Sequence, residues 1–592
     1  MGEPRNGLYT ADMASGSSRR GVILVLVLIG LGMFVSLVAV LLIGTAAGAP
    51  VHVPSNAALY LRVNAPFAEV VPDDVRSVFG GVPPTLRDTI DAIRKAKVDH
   101  RVKTLVLTPQ AQGAMWAQLQ ELRGAIEDFR TSRKQVTAYL EAGAAGEYYL
   151  ASAADRIVMM PGGQLDLAGL ATYELFFRGT LDKVGVFPDL LHIGEYKTAT
   201  NTLVERGFTP AHRDVTRSLN RSWYDELVRA IAVSRKRPEA DIRAAIDEGP
   251  FLAEGAKRAG FVDALGYEDQ LDDDGPVAGT SRLEGENYAR ASVSLGPRQS
   301  GGRIALLYAV GLIASGSSTS DAMGGSVIGS DTFVQWVRKV RVDPQVKAIV
   351  IRIDSPGGSA IASEVIWREL MLARDVKPLI ISMGDVAASG GYYMAVPAHV
   401  IVAQPGTITG SIGVATGKFV LKGTMEKLGV GVETVTDGRL AGIYSPFSTF
   451  SPAERARIEE QMQAIYDQFV SRVAEGRKMP AEKVDAVAQG RVWTGRQAQG
   501  IGLVDELGGL DRALRIAKER AKMDPDKEVD LVVYPQPRSA FEILANPFGA
   551  AATGVELLVS RPRSALMPSV VSNLLRFRRG EPLAVMPNVF WR

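Results

Sequence analysis

The stretch from Lys377 to Val396, KPLIISMGDVAASGGYYMAV, holds the residue best suited to covalent chemistry. Its apolar run Pro378 to Met383 predicts a buried strand, Gly384 and Asp385 predict the end of that strand, and the small and aromatic residues from Ser389 to Ala395 predict a helix. Ser389 then stands at a strand-to-helix turn, with its hydroxyl exposed. The helix N-terminus favours negative charge there, and the following backbone N–H groups can face an oxyanion. That is the placement a serine nucleophile needs. Upstream, Asp354-Ser355-Pro356-Gly357-Gly358-Ser359 follows a second predicted strand, and its paired glycines let backbone N–H groups approach a ligand closely. The competing readings are tight helix–strand packing around Ser389 and a simple turn at the glycine pair.

A serine nucleophile needs a base. His52, His100, His192, His212 and His399 are scattered, without metal-ligand spacing, and His399 on the path PAHVIV reads as a residue that caps or abuts a strand. A neutral lysine remains a candidate. Burial would have to lower its pKa from about 10.4 towards 7, a shift within the range of buried lysines. There is no cysteine, which excludes a thiol nucleophile, a thiolate metal site and a disulfide framework, so no cofactor or metal is expected. The net charge of +2 argues against a nucleic-acid partner.

The elements that must position these residues recur along the chain. In the second half, Lys347 to Ile353, Leu379 to Met383 and Val400 to Ala403 read as strands. Ala360 to Arg374 reads as an amphipathic helix, and Ser451 to Gly476 as one or two longer helices. Strands alternating with helices imply α/β units with crossover connections. The RKAKVDHRVK run at Arg94 matches RKVRVDPQVK at Arg338, an offset of 338 − 94 = 244 residues. The same offset carries GEYYLA at Gly146 onto GGYYMA at Gly390, and RGTLDKVGV at Arg178 onto KGTMEKLGV at Lys422. The chain is therefore read as a duplicated domain, with repeats at 55–270 and 303–535 joined by a polar, glycine-rich linker at 271–302.

No Asp, Glu, Lys or Arg occurs from Gly21 to Leu61, and Val22 to Gly44 is long enough to cross a bilayer core of ~30 Å as a helix. A retained anchor over 21–48 is expected, with Arg19 and Arg20 holding residues 1–20 on the cytoplasmic side. The tail 536–592 mixes apolar residues with a net charge of +4 from seven arginines and three glutamates. It reads as a segment packed on its own domain or partly disordered, or as one touching anionic lipid or another subunit.

Taken together, the transmembrane start, the tandem halves, DSPGGS at Asp354, AASGGYY at Ala387, TGSIGV at Thr409 and GEYKTA at Gly194 resemble the long, duplicated form of signal peptide peptidase A. The resemblance covers most of residues 55–535. It implies an α/β fold of tandem duplicated Clp protease/crotonase-like domains preceded by one N-terminal transmembrane helix. It also implies a Ser–Lys endopeptidase with Ser389 as nucleophile, Lys197 as general base and Ser411 as the residue that orients the lysine. Backbone N–H groups of Gly358, Gly390 and Gly357 are the implied oxyanion hole. Substrates would be cleaved signal peptides and other hydrophobic peptides at the outer face of the inner membrane, handled by a homotetramer in contact with membrane lipid.

The repeat offers an independent check. Ser389 aligns with Ala145 and Lys197 with Ala441, so each repeat keeps one member of the pair and has lost the other. Complementary loss is expected where one working site is built across the interface between repeats. Two rival readings stay open: a crotonase-like acyl-CoA enzyme, for which a serine at the turn is superfluous, and a non-catalytic membrane scaffold descended from a peptidase.

Overall fold

A computed structural model describes residues 51–71, 84–273, 275–320, 326–536, 582–585 and 590–591, with Val27, Gly30 and Leu31. The expected anchor at 21–48 and cytoplasmic segment 1–20 otherwise lie outside the described residues, as does most of the tail. Among the described residues no helix is long and apolar enough to cross a membrane. Residues 54–289 and 293–592 form one compact unit, and the fold below is that of this unit.

Each repeat builds a mainly parallel sheet. The first runs in the order 264–265, 156–159, 135–140, 102–110, 57–64, 281–284, parallel throughout. Its edge strand Ser281–Glu284 comes from the stretch read as linker. The second runs 492–494, 408–410, 379–388, 346–355, 298–310, 528–534, with 400–403 beside 379–388. Strand Val346–Ser355 is apolar without a break from Ala348 to Ile351 because both of its faces are covered there. Ile349, Ile351 and Ile353 point to the side holding helix Ala360–Arg374, and Ala348 and Val350 to the side holding helix Leu510–Arg520.

The duplication extends to details of capping. Helix Pro210–Arg235 starts at the Thr209 cap with Pro210 in its first turn and ends at a left-handed Lys236; helix Pro452–Arg477 does the same with Ser451, Pro452 and Lys478. The last arginine of each helix pairs with an Asp in matching sequences, Arg235 with Asp263 in GFVDALG and Arg477 with Asp505 in GLVDELG. The predicted helix over Ser451 to Gly476 is thus a single one.

A smaller mixed sheet joins the repeats. Its order is 319–320, 326–329, 312–314, 357–359, 583–585, 414–420, 187–193. Strand Phe187–Ile193 of the first repeat runs antiparallel to Val414–Val420 of the second, from Val414 opposite Ile193 to Val420 opposite Phe187. Behind the main sheets, the buried Arg352 guanidinium donates to Glu69 at 2.7 and 3.0 Å and to Glu121 at 2.8 Å, tying a second-repeat strand to two first-repeat carboxylates.

One boundary differs from expectation. The strand that leads to Ser389 does not stop at Gly384 and Asp385 but continues as Leu379–Ala388. Gly384 leaves room for the Asp354 side chain, whose Cβ would lie 3.0 Å from an added Cβ. The Asp385 carboxylate is turned inward and accepts from Gln118 N at 3.0 Å, a partner in the other repeat that sequence could not supply.

Candidate active site

Ser389 sits between that strand and helix Gly390–Ala395, outside the helix rather than within it. Its backbone is at φ 55, ψ −114, a conformation costly for a residue with a Cβ and maintained only where the surroundings over-determine it. Two bonds do so: Ser389 N donates to Gly410 O at 2.8 Å, and Ser389 O accepts from Tyr393 N at 2.8 Å. The hydroxyl is not exposed, as the sequence reading had it, but fully buried. Lys197 packs on one side, and strand Leu583–Val585 lies beside the helix that Ser389 opens.

Lys197 reaches the serine from the first repeat. It follows strand Phe187–Ile193, whose pairing with Val414–Val420 carries the chain across the repeat boundary. Lys197 Nζ donates to Ser389 Oγ at 2.7 Å, to Ser411 O at 3.0 Å and to Ser411 Oγ at 3.1 Å. The side chain is completely buried, and desolvation alone holds its pKa well below the usual lysine range. Ser411 is also at positive φ (52°), pinned by Ser411 N donating to Arg491 O at 2.8 Å.

A turn at Gln489–Arg491 holds the backbone beside Lys197 and that of Ser411 and Ile412. Tyr196 N donates to Gln489 O at 2.7 Å, and Gly490 N donates to Ile412 O at 2.7 Å. A Cβ on Gly490 would lie 2.5 Å from the N, Cα and Cβ of Lys197, so only glycine allows the lysine backbone this close. Sequence reasoning missed Gly490, because its partner is 293 residues away and an isolated glycine after Gln489 looks like any turn.

The glycine loop faces the serine. The backbone N of Gly358 and the Cα of Gly357 would both lie 3.2 Å from a Cβ on Gly390, so the two loops meet backbone to backbone. Gly390 is the first residue of its helix, where N–H groups have no intrahelical acceptor. Gly357 N, in contrast, donates to Ser355 Oγ at 3.2 Å. That bond takes Gly357 out of the donor set and leaves Gly358 and Gly390 as the pair able to receive a negative oxygen.

Two further carboxylates were invisible as site residues. Asp385 is buried and Asp354 partly so; Asp354 accepts from Val386 N at 3.0 Å and is pushed up to about 6 by desolvation. Asp385 is raised further, first by burial and then by the neighbouring Asp354. His399 lies at the far end of the serine strand, where its Nδ1 accepts from Leu379 N at 3.0 Å, so it caps that strand and is remote from Ser389.

The matching place in the first repeat has been closed. Ala145, the counterpart of Ser389, has no positive φ, and Glu147 stands where the second repeat has Gly391. The Glu147 carboxylate accepts from Ala111 N at 2.8 Å and Ala144 N at 3.0 Å, and Ala114 N, the counterpart of Gly358 N, donates to Ala111 O at 3.0 Å.

The model of peptidase family S49 matches residues 128–274 and 372–524, two regions that begin 372 − 128 = 244 residues apart, the offset of the internal repeat. A chloroplastic serine protease of Arabidopsis thaliana is 33% identical over 78% of this chain and 69% of its own length. Protease 4 of Salmonella typhi is 37% identical over 74% of this chain and 72% of its own, and Protease 4 of Haemophilus influenzae 32% identical over 75% and 74%. With both family matches centred on the repeats whose interface holds Lys197 and Ser389, the chain belongs to peptidase family S49 and is a serine protease of the duplicated kind.

Proposed function

We propose that the protein is a membrane-anchored endopeptidase that cuts hydrophobic peptides, cleaved signal peptides among them, with a dyad of Ser389 and Lys197. The observation that carries this reading is the 2.7 Å contact from a fully buried lysine amine to the serine hydroxyl. Neutral Lys197 accepts the Ser389 proton as Oγ adds to the peptide carbonyl. The N–H groups of Gly358 and Gly390 hold the oxyanion, and the Lys197 ammonium, kept in line by Ser411, protonates the leaving amine. Water, activated by the same amine, then hydrolyses the acyl-enzyme.

An extended substrate takes the place of strand Leu583–Val585 in the small sheet, paired by backbone bonds with Gly357–Ser359 on one side and Val414–Val420 on the other. Such pairing reads main chain rather than particular side chains, which suits varied apolar peptides. The uncharged stretch from Gly21 to Leu61 supports an anchor at 21–48 in the inner membrane, with the repeats on the outer face.

The repeat geometry supports a homo-oligomer. Under the 244-residue offset, the joined strands 187–193 and 414–420 have counterparts at 431–437 and 170–176, and these are not paired with each other within the chain. Residues 431–437 are exposed, Val435 at 96%. A second copy that offered 431–437 to 170–176 would repeat the join in a head-to-tail manner, and such contacts close into rings; four copies is the number the resemblance implies. The chain has no cysteine, so Tyr173→Cys with Thr434→Cys tests the register by disulfide trapping. Covalent multimers are expected from the double variant, and monomers alone would remove this arrangement.

The test of the function is hydrolysis of a fluorogenic apolar peptide by the wild type, Ser389→Ala and Lys197→Ala. Loss in each single variant supports the dyad. Undiminished cleavage by Lys197→Ala removes it, acyl-CoA turnover without peptide cleavage favours the crotonase-like alternative, and a wild type inert in both assays favours the scaffold.

A further inference from the structure

Lys197 is held in line by the turn at Gln489–Arg491, and that turn is locked by three side chains of the second repeat. Tyr466, on helix Pro452–Arg477, is buried, and its hydroxyl donates to Asp485 Oδ1 at 2.5 Å. The same hydroxyl accepts from Gln489 N at 3.3 Å and from Gln489 Nε2 at 3.1 Å, while Nε2 also donates to Asp485 Oδ1 at 2.7 Å. These bonds hold Gln489 at φ 51, a left-handed conformation that a residue with a Cβ adopts at a cost. Held so, Gln489 O takes the N–H of Tyr196, one residue before the lysine, and Gly490 lies against the Lys197 backbone. The same helix grips the other end of the strand that leads to the lysine, where Arg455 Nη2 donates to the buried Asp189 carboxylate at 2.6 Å.

The first repeat shows what the cluster serves. From these long helices onward the repeats run at an offset of 452 − 210 = 242 residues, which also sets Asp263 against Asp505. Tyr466 then matches Tyr224, but Asp485 matches Arg243, Gln489 matches Asp247 and Gly490 matches Glu248. Arg243 lies over the Tyr224 ring and pairs with Asp225 and Glu239 instead. By the symmetry of the repeats, the residue that this altered turn would hold is the counterpart of Lys197, and that position is Ala441. A cluster that only stiffened a pair of helices would serve both repeats alike. Its survival in one repeat follows the amine.

We propose that Tyr466, Asp485 and Gln489 are positioning residues for Lys197, which together fix the turn that keeps its amine on the line to Ser389 Oγ. The proposal rests on the Ser–Lys reading above. The three act through the lysine. Tyr466→Phe removes the hydroxyl and its bonds to Asp485 and Gln489, while the ring keeps its place in the core. The turn then loosens, Lys197 swings off line, and the amine gains water. A better hydrated amine holds its proton more strongly, so its pKa rises towards the ordinary lysine value.

Kinetics of the full-length chain on the fluorogenic apolar peptide across a range of pH test this, with Lys197→Ala alongside. Tyr466→Phe and Asp485→Ala are each expected to lower kcat by about tenfold or more with KM within about twofold, and to move the acid limb of kcat/KM up by roughly half a pH unit or more. Asp485→Asn keeps an acceptor oxygen for both partners and is expected to recover most of kcat. Tyr224→Phe, at the matching place in the first repeat, should leave kcat and the limb at their wild-type values. Asp485 is half-buried on the short helix Ala481–Val487, so its variants give the answer should Tyr466→Phe fail to fold. Wild-type kcat in the variants of Tyr466 and Asp485 overturns the proposal, and so does a lower kcat with the limb unmoved. An equal loss in Tyr224→Phe overturns it as well, since that marks a merely structural part. A Lys197→Ala enzyme as active as the wild type brings down the dyad itself.

Discussion

Lys197 Nζ and Ser389 Oγ are 2.7 Å apart across 192 residues of sequence, one from each half of a duplicated chain. Neither repeat holds a complete pair, since Ala145 and Ala441 occupy the matching positions. The enzyme therefore has one site where its ancestry supplied two.

In the proposed mechanism the two residues act on one proton, so their losses do not add. Ser389→Ala and Lys197→Ala are each expected to lower kcat on an apolar peptide by about 10⁴-fold or more, and the double variant by no more than the worse single one. Steady-state kinetics on the three variants, with folding checked by circular dichroism, measures this. Additive losses would mean that the two side chains serve separate steps.

As the proposed base, Lys197 works only when unprotonated, and burial disfavours its ammonium form. The acid limb of kcat/KM is expected well below the ordinary lysine range, falling tenfold per pH unit once Lys197 protonates. Ser411 Oγ accepts from the amine, so its removal further disfavours the ammonium. Ser411→Ala should therefore shift the limb to lower pH while kcat drops by roughly tenfold or more. A limb that stays in place would assign Ser411 a merely structural part.

The same burial makes Lys197 a stability liability. The unfolded chain binds a proton that the folded chain excludes, so folding is opposed at neutral pH and eased above the unfolded lysine pKa of about 10.4. Lys197→Met is expected to abolish activity and yet stabilise the fold at neutral pH, on the ~1–4 kcal/mol scale seen when buried ionic groups are replaced by apolar ones of similar volume. Thermal melts at neutral and strongly alkaline pH measure it, and the gain should shrink at the alkaline value.

Gly490 packs against the Lys197 backbone and so bears on the position of the amine. An added Cβ meets the Lys197 backbone at 2.5 Å, and Gly490 is itself at φ 75. Gly490→Ala should push the lysine off line and cost about 10²-fold in kcat, the usual effect of a displacement near 1 Å, with KM little changed. Kinetics with a near-wild-type melting temperature would establish a positioning role; an unaffected kcat would refute it.

Arg352 of the second repeat neutralises two carboxylates of the first, and its removal leaves Glu69 and Glu121 buried without this cation. Arg352→Met is expected to destabilise the chain by about 3–5 kcal/mol at neutral pH and by less in mild acid, because burial raises the pKa of Glu121 and favours its neutral form there. Denaturant melts at the two pH values check it.

Much of this was legible from sequence, for physical reasons. Apolar runs such as KAIVIRI and the helix at Ala360–Arg374 follow from local periodicity, and the 244-residue repeat makes the α/β duplication visible without coordinates. Ser389 announces itself because a strand-to-helix turn with small neighbours is a local pattern. The comparison of repeats even marked Lys197 and Ser389 as complementary survivors. What no local pattern encodes is which backbone edge pairs with which, since peptide groups are identical along the chain. Tertiary structure alone paired Phe187–Ile193 with Val414–Val420 and so brought the amine to the hydroxyl. It alone drew the Asp385 carboxylate inward to Gln118, extending a strand that Gly384 and Asp385 seemed to end, and it alone laid Leu583–Val585 into the slot beside Gly358. Each of these is a backbone or buried polar contact over long sequence distance, satisfied only once the chain has folded.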